Sequence, residues 1–417
     1  MELVTLGNGL RVALAPCEAE SAAFGIFVAS GSRHEPAELS GISHFIEHML
    51  FKGTPTRTPL DISRAIEGRG GMFNAFTGEE ATAYFAHLPW EHLDEAVDIL
   101  ADMFLNASMP ADEFEREKQV VLEEIRMYED DPDAVVFENL QRAIFPKSPL
   151  GIPISGSAKT LAPLRPADLK RYRRGHYLPS RTFAVVVGRF ERDAALKSVA
   201  SRLGRFGKGL RAPSLRRAKA PFGRVVASTT AAKDVKQTRF AIGYRTFGFA
   251  DRRRYAAAVF DAVLGRGMSS RLFQEVREKR GLSYDVSSRM NFFSDAGMWT
   301  VSAGVEPSKE EKAIAVIERE LRRIRTRRVG AAELRQVKDF MLGTSGSATR
   351  RWSPSSTSTA RRSSPTAGRW SRRSRCAASP RSPRTTSSRS PTPSSTRPSA
   401  PSAASCRRIN PEPQILI

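Results

Sequence analysis

Sulfur and long apolar runs are both scarce in this chain. Three cysteines in 417 residues (Cys17, Cys376 and Cys406) exclude a disulfide framework and a cysteine-rich metal site. They suit a reducing compartment, and a cytoplasmic protein is expected. No apolar run approaches the ~20 residues that a membrane-spanning helix needs. No secretory leader is expected either, since Met1 runs straight into the strand-like stretch Leu3–Leu6. Acidic side chains and lysine vanish from one region: Thr344 to Ile417 holds 14 Arg, no Lys and a single acid, Glu412. That stretch carries +13 of the net +22, so the first 343 residues carry only +9 (22 − 13). Its only aromatics are Trp352 and Trp370. With so little to stack on bases and no nucleic-acid module before it, nucleic acid is not an expected partner.

What is present over residues 1–343 is an alternation of strand-like and helix-like segments, an α+β pattern. Phe24–Val28, Ala81–Leu88 and Thr182–Gly188 read as strands, the last as a buried one. Pro59–Glu67, Glu91–Phe104, Pro110–Tyr128 and Pro166–Tyr177 read as helices, with Pro110 as a first-turn residue. A Gly-, Pro- and Lys/Arg-rich stretch at 206–222 then reads as a linker. Beyond it the pattern restarts, with strands at Gln237–Tyr244, Tyr284–Ser288 and Met298–Gly304 and helices at Arg253–Leu264, Ser270–Arg280 and Lys309–Arg327. Two similar domains are expected, 1–205 and 223–343, each a mostly antiparallel sheet with helices on one face. Residues 344–417 are rich in Ser, Arg and Pro, and their composition cannot repay the entropy of ordering. They read either as a disordered basic tail or as translation in a shifted frame. The shift is favoured, because the break falls in mid-domain and the tail is about long enough to finish that domain.

The chemistry concentrates in GISHFIEHMLFKGT. His44, Glu47 and His48 lie at helical positions i, i+3 and i+4, on one face, where the two imidazoles can converge on a metal. Ile42, Phe45, Ile46, Met49 and Leu50 make the rest of that helix apolar, so three ionisable groups sit on a helix buried on both sides and need partners. His-x-x-Glu-His is the inverted zincin signature. Two core histidines at a chance spacing are the plain alternative. A catalytic zinc needs a third protein ligand and an open position. Glu117 and Glu124, seven residues apart on one face of Pro110–Tyr128, are candidates, whereas Glu113, Glu115 and Glu123 can point outward. Taken alone, each of these glutamates reads as a solvated surface charge.

The blocks GSRHEPAELSGISHFIEHMLFKGT, GGMFNAFTGEEATAYFAHL and EREKQVVLEEI, in that order and spacing, resemble the pitrilysin/insulinase family of inverted-motif zinc metallopeptidases. The resemblance is closest to the branch of the mitochondrial processing peptidase β subunit and its bacterial relatives. It implies one Zn2+ per chain held by His44, His48 and Glu124, with Glu117 supporting the site and Glu47 as general base in a peptide-hydrolysing centre. It implies that Phe73–Thr77 is an exposed edge strand onto which substrate adds, with Phe73, Asn74, Ala75 and Phe76 as substrate-binding positions; spacing alone would equally allow Asn74 to be a turn residue. In GRGMSSRLFQEVREKRGLSYDV, Arg277 and Tyr284 match a family pair that contacts the substrate carbonyl. Without the resemblance they would read as a solvated helix charge and a strand core residue. A homodimer with two equivalent sites is implied, a heterodimer with an inactive homologue being the other arrangement. The resemblance ends near residue 343, before the second domain closes. An incomplete second domain, an uncovered apolar surface and a poorly soluble or inactive product are therefore expected.

Overall fold

The computed structural model describes residues 1–207, 223–229 and 237–350. Most of the expected linker and the tail beyond 350 lie outside the described residues. The first domain is built on β1 (Glu2–Thr5), β2 (Arg11–Pro16), β3 (Ser21–Val28), β4 (Met72–Thr77), β5 (Thr82–Pro89) and β6 (Thr182–Gly188). They form one sheet in the order β1-β2-β6-β3-β5-β4, antiparallel except where β2 runs parallel to β6. β6 alternates buried and half-buried residues, so it has one packed and one open face, where the sequence suggested a strand buried throughout. Eight helices accompany this sheet: α1 (Ile42–Leu50), α2 (Pro59–Glu67), α3 (Leu93–Asn106), α4 (Ala111–Asp130), α5 (Pro132–Ile144), α6 (Ala158–Leu161), α7 (Pro166–His176) and α8 (Arg192–Leu203).

Local signals set these boundaries. Thr58 caps α2 in a reciprocal box with Asp61, with Pro59 in the first turn. Pro110 is the cap residue of α4 rather than a member of its first turn. α3 carries its apolar stripe of Leu93, Ala96, Val97, Leu100 and Phe104 into the core beneath β3 and β5.

The second domain has the strands β7 (Gly223–Thr229), β8 (Thr238–Thr246), β9 (Ser283–Phe292) and β10 (Gly297–Val305), in the order β7-β8-β10-β9, all antiparallel. α9 (Arg254–Gly265), α10 (Glu310–Thr326) and α11 (Ala331–Arg350) complete it. The helix expected over Ser270–Arg280 is a π-helical segment, Phe273–Glu278. α11 continues to Arg350, seven residues past the end of the family-like pattern at 343.

Chain order relates the two domains. β3, α1, α2, β4, β5, α3 and α4 are answered by β8, α9, the π-helical segment, β9, β10, α10 and α11. Removing β1 and β6 from the first sheet gives the order of the second. β2 and β3 flank β6 and run antiparallel to each other, and β7 and β8 are antiparallel and pair directly. Among the described residues the second sheet has no counterpart of β6.

The domains meet where α5 lies on β8. Val136, Leu140, Ile144, Phe145 and Leu150 form one buried cluster with Ala241, Phe293, Ala296 and Met298. Gly243 permits the approach: a Cβ there would lie 2.6 Å from the Ile144 Cδ1.

Candidate metal centre

α1 starts at Gly41, whose φ of +95° is a glycine conformation. Its first amides are satisfied from outside the helix: Gly41 and Ser43 N–H donate to the two oxygens of buried Glu35, each at 2.8 Å. Burial pushes the Glu35 carboxyl up to about 7, against the lowering effect of those amide donors.

The apolar face of α1 is buried, and Phe45 packs on Phe114 of α4 with ring centroids 4.7 Å apart. This docking carries Glu117 and Glu124 over the two histidines. The Nε2 atoms of His44 and His48 are 3.3 Å apart, and Glu124 Oε2 lies 3.7 Å from the first and 3.5 Å from the second. A tetrahedral zinc with bonds of about 2.1 Å keeps its ligand atoms about 3.4 Å apart, so the triangle fits such an ion. Among the described residues, no other group of three His, Cys, Asp or Glu side chains converges in this way.

Glu117 stands behind this triangle. Its Oε1 is 2.8 Å from His48 Nδ1, and its Oε2 pairs with Lys52 Nζ at 2.5 Å. A carboxylate on the far nitrogen of a ligating histidine fixes the ring and its tautomer. Burial acts to raise Glu117, but its bonds to His48 and Lys52 prevail and hold it below the ordinary carboxylate range. Burial acts to lower His48, yet the bond to Glu117 and the charges of Glu47, Glu124 and Glu117 raise it overall. His44 is driven down to about 3, by burial first and by His48 second, which leaves its ring neutral and able to ligate. Its Nδ1 is buried without a hydrogen-bond partner among the described residues.

Glu47 lies on the same face of α1 but outside the triangle. Its Oε2 accepts a 2.5 Å hydrogen bond from Thr77 Oγ1, at the end of β4. Burial lifts its carboxyl to about 7, opposed by the Thr77 bond. A carboxylate poised near neutrality suits a general base.

β4 holds Phe73, Asn74, Ala75 and Phe76 on the sheet edge, pairing with β5 alone. Asn74 is therefore a strand residue, exposed, with its side-chain oxygen accepting from Ala75 N–H at 2.8 Å. Phe73 stacks on Phe51 just beyond α1, with centroids 5.5 Å apart. Arg277 and Tyr284 lie together in the second domain, the guanidinium 4.5 Å from the tyrosine ring centre. They line a cavity of about 420 Å³ with Gln237, Leu282 and Lys309. Tyr284 is 76% exposed, so it is not a core residue. Neither side chain has a hydrogen bond or ion pair to His44, His48 or Glu124 of the same chain.

Three contributors take roles for which the sequence gives no expectation. Lys52 lies one turn after His48, a spacing that would have disclosed it. Thr77 reaches Glu47 through sheet register, which no local pattern reveals. Glu35 has a signal only in hindsight, as an acid before a helix that lacks a side-chain cap of its own.

Residues 11–158 match the insulinase family of peptidases (family M16), and residues 163–341 match the peptidase M16 inactive domain. The uncharacterized zinc protease YmxG of Bacillus subtilis is 36% identical over 345 residues, 81% of this chain and 82% of the relative. An uncharacterized zinc protease of Mycobacterium tuberculosis is 40% identical over 310 residues, 73% of this chain and 70% of the relative. The crystal structure of a protease from Helicobacter pylori shares the fold, with a TM-score of 0.77 at 23% identity, covering 84% of this chain and 86% of that one. With both halves of the domain pair matched and the His-x-x-Glu-His helix in place, the chain belongs to the insulinase family of peptidases, family M16.

Proposed function

We propose that this chain is a zinc-dependent endopeptidase that cleaves oligopeptides or unfolded, presequence-like segments. The observation that carries this reading is the triangle of two imidazole nitrogens and one carboxylate oxygen at 3.3–3.7 Å. His44, His48 and Glu124 would hold one zinc. Bound zinc supplies Lewis acidity, which activates water and polarises a scissile carbonyl. Glu47 takes the proton of the attacking water and returns it to the leaving amine, with Thr77 fixing the direction of its carboxylate. Glu117 locks the His48 ring.

Substrate would add to the open edge of β4 as a further strand, displacing the local bond between Asn74 and Ala75 N–H. Backbone pairing gives affinity with little side-chain preference, which suits flexible segments. Arg277 and Tyr284 would donate to the developing oxyanion. Because they are not bonded to the metal centre of their own chain, we assign them to the centre of a second copy in a homodimer. A heterodimer with an inactive homologue would use the same surfaces.

A structural, non-catalytic subunit on the same fold is the second reading, favoured by a second sheet that among the described residues has no counterpart of β6. One experiment separates them. Wild-type chain should bind zinc and cleave an unstructured peptide in a chelator-sensitive manner, whereas Glu47→Gln should keep the metal and lose at least ~100-fold in kcat. Zinc binding without any cleavage by the wild type would favour the structural role.

A further inference from the structure

The second domain is tied to the catalytic base of its own chain through four residues. Arg33 has a side chain with no solvent exposure. Its guanidinium bonds Glu80 Oε1 at 2.5 Å, Ser294 Oγ at 3.3 Å and both carboxylate oxygens of Asp295 at 2.9 and 3.2 Å. Ser294 and Asp295 sit in the β9–β10 turn of the second domain, whereas Glu80 sits in the β4–β5 turn of the first. Glu80 also accepts from Ser294 N–H at 2.9 Å and from Ser294 Oγ at 2.6 Å.

The β4–β5 turn is gripped on its other side as well. Ser32 N–H donates to Gly78 O and Arg33 N–H to Glu79 O, at 3.1 and 2.9 Å. Gly31 is in such close contact that a Cβ there would lie 2.2 Å from Gly78 O. Gln141 of α5 holds the Glu79 carboxylate at 3.0 Å. Thr77, whose hydroxyl orients Glu47, is the residue immediately before this turn.

We propose that the β9–β10 turn of the second domain is a positioning element for the base. Through Arg33 and Glu80 it fixes the β4–β5 turn, and with it the Thr77 hydroxyl on Glu47 and the placement of the substrate edge β4. Arg33, Glu80 and Asp295 are positioning residues; none touches substrate or metal. The kinetic consequence deepens the peptidase reading and rests on it, whereas the mechanical coupling does not.

The test uses the full chain and Asp295→Ala, which removes the bidentate partner of Arg33 from the second domain. Hydrogen exchange should speed up in residues 72–81 and stay unchanged in α1, at equal zinc content. Turnover should fall roughly 10- to 100-fold in kcat, the cost of a misplaced catalytic group. Thr77→Val should cause a loss of the same kind. The two together should cost no more than the worse single change, because both act on one contact. Met298→Ala, which thins the apolar contact between the domains without touching the clasp, should lower stability but not kcat. Should Asp295→Ala fail to fold, Asp295→Asn keeps the shape and weakens the charge pair, and the same readouts apply. Unchanged exchange at 72–81, or losses that multiply in the double variant, would overturn the proposal. If wild-type chain cleaves nothing, the peptidase reading fails, and the exchange result alone decides the coupling.

Discussion

At the scale of single residues, the division of labour among four carboxylates is set by what each one faces. Glu124 faces two imidazole nitrogens, Glu47 faces Thr77, Glu117 faces His48 Nδ1 and Lys52, and Glu35 faces two backbone amides. Glu117→Gln should therefore lower zinc affinity about 10- to 100-fold without removing a ligand, since the His48 ring loses a charged acceptor. Competition against a chelator at fixed pH measures this, and an unchanged affinity would remove Glu117 from the site. The raised pKa of His48 gives the sign of the pH effect: the ring must shed a proton to ligate, so affinity falls as pH drops through that value. His44, Glu47 and His48 were legible in the sequence because one helical period places all three on a face. Glu124 was not legible from its own helix, where it looks like its solvated neighbours Glu115 and Glu123; only the family resemblance singled it out.

At the scale of elements, α1 is an amphipathic helix with an unusual start. Its end amides are neutralised by Glu35, nine residues before the first ligand and buried at 4% exposure. The folded pKa of about 7 stands above the ordinary carboxyl value of about 4.5 because burial disfavours the charged form. The stability contribution of this group is therefore fully present below pH 4.5 and is lost as pH rises toward 7. Measured by urea unfolding, the stability difference between wild type and Glu35→Gln should shift toward the variant across that interval, by an amount on the order of 3 kcal/mol. A difference independent of pH would show that Glu35 stays charged in the folded chain. Elements with strong periodicity, such as α2 and α10, were legible almost to the residue. β2, α5 and α8 carried no expectation, although α5 shows Val136, Leu140 and Ile144 at every fourth position behind the cap Asp131. Its apolar stripe is short because it serves the contact with β8 rather than the core of its own domain.

At the scale of the whole molecule, the repeated domain plan explains both what the second half lacks and what it offers. Among the described residues the second sheet has no counterpart of β6 and β7 pairs directly with β8, and Phe249, Met268 and Leu342 are each more than half exposed. The same plan makes β9 the counterpart of β4, and it puts Arg277 and Tyr284 beside the edge of the second sheet just as the zinc helix stands beside the edge of the first. One chain thus presents the His44, His48 and Glu124 triangle and the Arg277 and Tyr284 pair, which do not bond to each other. If triangle and pair complete each other across a dimer, two inactive variants should rescue one another. Glu47→Gln lacks the base and Arg277→Ala lacks the oxyanion donor, so each homodimer is impaired at both sites. In a mixed dimer, one site combines both lesions and the other combines the intact zinc domain of one chain with the intact Arg277 of its partner. Random exchange of equal amounts therefore restores about a quarter of wild-type turnover, the share of sites free of either change. A site assembled within a single chain gives no rescue at any mixing ratio, because every site then keeps its own lesion. Recovered activity in the mixture, absent from both parents, is the outcome expected of the proposed homodimer.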